Sequence, residues 1–230
     1  MIPPPDRARA VAPGPLRVVD REALHRTIRS PAAQAGAPCV AWSQHAADLA
    51  AAMAPQLEGW PETPATQALV LDGELLPMRA GRYLPAVDAR SCVDRAIAVG
   101  CAVGEHLRSH QVIAGATAAW VLLGGRPPEV LELISPSHRT IIAGVEVHQA
   151  EIRPGDVVVL GGAPITAPGR IATDLLRMHP EHTACRIVEE LLETGHLGMQ
   201  EVARRLDLLF GAPHTRRARR LLREVRVPAP

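Results

Sequence analysis

The sequence predicts an α+β protein: an N-terminal winged-helix-like domain, then a mixed α/β domain with a small sheet and several helices. Three observations lead there. An Ala-rich helical pattern, a second helix and a pair of short strands follow one another between residues 43 and 85, the order helix, turn, helix, hairpin. Short apolar runs near Leu131, Val145 and Val158 then alternate with longer amphipathic stretches near Ala172, Ile187, Val202 and Leu221. The length of 230 residues suits two domains of ordinary size. The expected division is a disordered tail at 1–18, the winged-helix-like domain at 19–88 and the α+β domain at 89–230.

Pro3, Pro4, Pro5, Pro13 and Pro15 make the first residues a poor substrate for regular structure. Asp20 caps a short helix over 20–30, and 31–38 is a loop of small residues. A helix follows from Ser43, its cap, toward Leu57, limited by Pro55. A second helix spans 64–71. Asp72-Gly73 turns the chain into Leu75, Leu76 and Pro77, and Gly81 reverses it into Arg82, Tyr83 and Leu84.

Beyond residue 89 the pattern predicts a helix over 92–110 and an Ala-rich one near Thr117, followed by the three strands. Val157 to Leu160 reads as a buried strand stopped by Gly161 and Gly162, with a helix almost at once after it. Thr166 is placed to cap that helix, Pro168 is tolerated in its first turn, and Arg170 and Asp174 fall one turn apart as an ion pair.

Several of these segments, in order, resemble the AbiEi family. Gly115 to Gly124 (GATAAWVLLG) is similar to its Thr/Ser-Ala-Ala-x-Leu helix, Val130 to Pro136 (VLELISP) to its first sheet strand, and Arg139 with Gly144 to Val147 continues the series. Its Thr-x-Pro-x-Arg motif followed by Asp-Leu corresponds to Thr166, Pro168, Arg170, Asp174 and Leu175, which are structural positions. Leu69 to Pro85 looks like the wing of its N-terminal domain. The resemblance covers roughly Val70 to Glu224. It implies an antitoxin of a type IV toxin–antitoxin pair that binds operator DNA and represses its own operon, beside a nucleotidyltransferase-like toxin. Some relatives carry a Vsr-like endonuclease domain after the equivalent of the Arg-rich end; here none is expected, and the chain has no Lys for such chemistry.

Composition bears on partners. All 25 basic residues are Arg, and a single Phe and a single Tyr leave little for base-stacking platforms. The net charge of +1 conceals an asymmetry: 8 Arg stand against 9 acids in 1–88, 9 against 12 in 89–199, and 8 against 3 in 200–230. Cys39, Cys92, Cys101 and Cys185 lack Cys-x-x-Cys or zinc spacing and read as free thiols. With no leader or membrane-length apolar run, a cytoplasmic location is expected.

Candidate DNA contacts follow. In a winged helix the second helix enters the major groove, which would bring Thr63, Thr66 and Gln67 to base edges, with Arg79 and Arg82 of the wing on phosphates. No Lys or Arg lies between Arg29 and Arg79, which weakens that interface and favours a protein-binding role for the domain. The stronger candidate is the helix bearing Arg216, Arg217, Arg219, Arg220 and Arg223, with Arg204 and Arg205 on the helix before it. His106 with His110, and His179 with His182, have spacings that a metal could use, but read better as solvated helix ends. Glu189, Glu190 and Glu193 read as an exposed face. No nucleophile–base pair or phosphate loop is present, so no catalytic residue, cofactor or metal is expected. A truncated relative of the nuclease-fused proteins is the remaining alternative.

Overall fold

In the computed structural model, which describes residues 37–79, 81–137 and 142–226, the described residues form a mixed α+β fold of eight α-helices and two sheets. The tail at 1–18 and the helix expected over 20–30 lie outside the described residues. Helix α1 (Gln44–Met53) begins at Ser43, whose Oγ accepts from the Ala46 N–H at 3.0 Å, and it runs out in a 3-10 turn containing Pro55. Strand β1 (Glu58–Gly59) leads to α2 (Pro64–Leu71), and β2 (Leu75–Arg79) and β3 (Arg82–Pro85) form the hairpin. These strands make a three-stranded antiparallel sheet in the order β1-β3-β2.

Helix α3 (Cys92–Val103) opens with a capping box, Ser91 Oγ accepting from the Asp94 N–H while the Asp94 carboxylate accepts from the Ser91 N–H. It stops at Gly104, φ +67°, seven residues short of the expected end at His110. Then come β4 (Val112–Ile113), α4 (Gly115–Leu123), β5 (Leu131–Ser135), β6 (Val145–Gln149), β7 (Val157–Leu160) and β8 (Ala163–Thr166). The chain closes with α5 (Pro168–Met178), α6 (Glu181–Glu193), α7 (Met199–Leu208) and α8 (Thr215–Glu224).

The larger sheet has the order β6-β5-β4-β8-β7, with β5–β6 and β4–β8 parallel and the other pairs antiparallel. Alternation along the strands gives it two unlike faces. Leu131, Leu133, Val145, Val147, Ile113 and Ile165 belong to the main core with residues of α3, α4 and α5. The opposite face carries Glu132, beside a small cluster of Val112, Ala114 and Ile134 with Ala150 and Ile152 from the strap after β6 and Val157 of β7.

Cys39, Ala46, Leu57, Met78 and Leu84 share the main core with residues as distant as Leu221 and Val225, so the segments on both sides of residue 88 pack into one interior. Trp42 Nε1 donates to the Gln111 carbonyl (2.9 Å), and Ser43 Oγ donates to the Gly162 carbonyl (3.3 Å) at the turn between β7 and β8. That turn approaches α1 so closely that a Cβ on Gly162 would lie 2.2 Å from Ser43 Oγ. Buried Arg95 of α3 reaches the carbonyl end of α4, donating to Val121 (2.9 Å) and Leu122 (3.3 Å) as well as to Ala89 and Arg90. Three sequence expectations change here. Strand β8 separates Gly162 from the helix, and the Val157–Leu160 strand before it, expected to be buried, has Val158 and Val159 exposed; Thr166 ends β8 instead of capping α5. The N-cap is Ala167, and the buried Thr166 hydroxyl has no hydrogen-bond partner among the described residues.

Candidate functional site

The site begins with a lone acid in an apolar strand. Every residue of β5, Leu-Glu-Leu-Ile-Ser, is buried, and alternation aims Glu132 away from the main core. Its carboxylate lies on the start of α4. Oε1 accepts from the Ala116 N–H (3.1 Å), and Thr117 Oγ1 accepts from the Glu132 N–H (2.8 Å). An anion here supplies the cap that Ala114, the N-cap residue, has no side chain to give. The close approach depends on Gly115, whose φ is +56° and whose added Cβ would sit 2.0 Å from Glu132 Oε2.

His179, the C-cap of α5, places Nε2 3.0 Å from Glu132 Oε2. The Glu132 hydrogen bond raises the imidazole pKa; burial opposes this, and the charges of Glu132, Asp174 and Glu146 add to it. The imidazolium–carboxylate contact is therefore fully stabilising below the ordinary histidine value of 6.5 and is lost as pH rises through the elevated folded value. The urea midpoint of His179→Gln should fall furthest below the parent's near pH 6 and approach it by about pH 9. A gap independent of pH would mean that the histidine contributes only as a neutral group.

Asp156 is the second centre. It is 5% exposed, just before β7, and both oxygens are engaged. Oδ1 receives Arg205 Nη1 from α7 at 2.7 Å; Oδ2 receives Arg170 Nη1 from α5 at 2.9 Å and the Arg153 N–H at 3.1 Å. Burial alone would raise this carboxyl's pKa, but the hydrogen bonds from Arg205 and Arg153 and the charges of Arg170 and Arg205 outweigh it and hold the pKa below the usual range. Arg170 also forms the expected ion pair, Nε to Asp174 Oδ2 at 2.6 Å, and Pro168 occupies the first position of α5. Arg177 Nη1 lies 3.6 Å from the other Asp174 oxygen. These groups wall a cleft of about 620 Å³ on the second face of the sheet, between the strap, α5 and α7, and Glu132 and His179 belong to the same lining.

The arginines proposed for DNA divide by their surroundings. Arg217 donates to the Leu176 (2.8 Å) and His179 carbonyls and so docks α8 on the end of α5. Arg219 reaches Asp207 (2.9 Å) and lies over the Phe210 ring; Arg220 pairs with Glu181 and Glu224; Arg205 is held by Asp156. Arg204, Arg216 and Arg223 are exposed. Farther toward the N-terminus, Thr66 is 3% exposed and its hydroxyl donates to the Pro61 carbonyl, so it is turned away from any base edge. Thr63 is the cap of α2, which leaves Gln67 as the exposed member of that trio. Arg79 Nη1 donates to the Ala102 carbonyl (2.9 Å), and Arg82 is its half-buried partner across the hairpin. Arg139 of the motif series lies outside the described residues.

The histidine pairs do not behave as a shared helix face. His106 lies in a 3-10 turn and His110 beyond it, with Nε2 2.8 Å from Ser137 Oγ. His179 turns inward to Glu132 while His182 is exposed. Among the described residues no three His, Cys, Asp or Glu side chains group as a metal site, and no helix is long and apolar enough to cross a membrane. Sequence reasoning missed Glu132, Asp156 and the role of His179. The one signal for the first was a single acid inside Val-Leu-Glu-Leu-Ile-Ser.

Comparison with known proteins gives one partial likeness. A cysteine desulfurase of Frankia sp. (strain EuIK1) is 31% identical over 106 residues, which are 45% of this chain. The chain spans 24% of that relative's length. No family model matches the chain, and no solved structure matches it.

Proposed function

We propose that the protein is a non-enzymatic, DNA-binding autorepressor of the AbiEi antitoxin kind, acting in the cytoplasm on the operon of a nucleotidyltransferase-like toxin. The observation that carries this reading is the exposed set Arg204, Arg216 and Arg223 on α7 and α8, within a C-terminal stretch whose 8 Arg face 3 acids. Guanidinium groups without carboxylate partners are the ones free to take phosphate, and Arg217, Arg205 and Arg220 act in this reading by holding the two helices in place. The order of motifs from Gly115 to Leu175 supports the same reading. Helices α1 and α2 with the β2–β3 hairpin are then a winged-helix-like unit that contributes little charge.

Fluorescence anisotropy with the duplex upstream of the gene, against a scrambled duplex over a salt series, tests it. Native DNA should bind more tightly and with a steep salt dependence. Replacing Arg204, Arg216 and Arg223 together by Gln should reduce the slope of log K against log salt by about 2–3, since each lost phosphate contact removes nearly one counterion. An unchanged slope would defeat the reading. A second reading, a protein-binding adaptor that has lost DNA contact, is favoured by the inward-turned Thr66 and the engaged Arg79. It would be preferred if neither duplex bound at low salt.

A further inference from the structure

The geometry points to the cleft on the second face of the sheet as a binding site for a small organic anion with an apolar body, a ligand independent of DNA. Its volume of about 620 Å³ is that of an ordinary ligand pocket. The lining supplies apolar surface from Ala114, Ile134, Met178 and Leu208, of which Met178 and Leu208 are 65% and 73% exposed.

The sign of the ligand's charge follows from which polar groups are already matched. Glu132 is held by His179 and the Ala116 N–H, and Asp156 by Arg170 and Arg205. Asp174 is held by Arg170 and Arg177, Glu151 by Arg153, and Glu201 lies 3.6 Å from Arg205. An incoming cation therefore finds every carboxylate of the lining occupied. An incoming anion finds Arg204, exposed on α7 and without a carboxylate partner among the described residues, and His179, whose Nε2 is held on Glu132 and whose Nδ1, without a partner among the described residues, is a donor in the imidazolium form. These two donors share the lining with charge pairs that already neutralise each other and with the apolar surface of Ala114, Ile134, Met178 and Leu208, a combination that selects a carboxylate or sulfonate carried on a hydrocarbon or aromatic frame.

The probe is 8-anilinonaphthalene-1-sulfonate, titrated against the full chain by fluorescence and by amide shifts in ¹H–¹⁵N spectra. One saturable site is expected, with shifts concentrated at Ala114, Gly115 and 148–154. Arg204→Gln, a surface change that leaves the fold intact, should weaken binding about tenfold, as should His179→Gln. Arg126→Gln, an exposed residue outside the cleft, should have no effect, and 1-naphthylmethylammonium should bind at least tenfold less tightly than the sulfonate. Non-saturable binding, shifts mapping elsewhere, indifference to both cleft variants, or equal binding of the ammonium probe would each overturn the assignment. No arm of the test uses DNA, so its outcome is separable from that of the repressor reading.

Discussion

Replacing Asp156 by Asn should cost about 3–5 kcal/mol of folding stability, the usual penalty for removing one partner of a buried ion pair. The side chain is 5% exposed and neutralises Arg170 and Arg205, which come from α5 and α7. An amide keeps the shape but leaves the two guanidinium groups without their shared anion. Arg170 still has the Asp174 carboxylate at 2.6 Å, whereas Arg205 keeps the Gly155 carbonyl (3.0 Å) and, as its remaining carboxylate, Glu201 at 3.6 Å, so the α7 side of the cleft should loosen first. Urea unfolding at neutral pH checks the magnitude. Acid titration provides an independent test. Because the folded pKa of Asp156 is depressed, its stabilisation is complete above the unfolded value and lost as pH falls through the folded one, so the parent should lose stability there more steeply than Asp156→Asn. Parallel acid profiles would rule out this carboxylate as a keystone of the cleft.

The second large effect is expected at Gly115. Gly115→Ala should cost about 3–4 kcal/mol, combining about 1–2 kcal/mol for a left-handed non-glycine residue with displacement of a buried carboxylate. The new Cβ would meet Glu132 Oε2 at 2.0 Å, and Glu132 cannot yield without releasing the Ala116 N–H and His179. Gly73→Ala separates the two contributions. Gly73 has φ +73° but nothing within 4 Å of an added Cβ, so it should lose only the backbone part. Equal thermal shifts for the two variants would show that the carboxylate moves aside freely.

Much of the helical pattern and the hairpin was legible because it rests on local rules: Ser43 as a cap, Pro168 in a first turn, Asp72-Gly73 between α2 and β2, and the Arg170–Asp174 spacing within a single helix; Thr63, read as a base contact, is itself a cap. What escaped depended on partners distant in sequence. Strand β4 is two residues long and is a strand only because β5 and β8 flank it. Thr166 looked like a cap until β7 paired with it. The Arg-rich helix was evident from composition, but which of its arginines face solvent was not. That depends on Glu181, Asp207 and the carbonyls at the end of α5. The cleft was the least visible part, since its two centres join Glu132 to a histidine 47 residues away and Asp156 to an arginine 49 residues away.

The hydrogen bond between Ser43 and the Gly162 carbonyl spans 119 residues, and it bears on how the molecule assembles. During synthesis α1 emerges well before the turn that covers its first residues, which follows it by more than a hundred residues. Until then Ala46 and Ala50 lack part of their eventual surroundings, and the nascent chain exposes an Ala-rich helix with no complete surface to dock on. Loop closure over that distance precedes the contacts that reward it, so the final docking of α1 belongs to the late, slow part of folding.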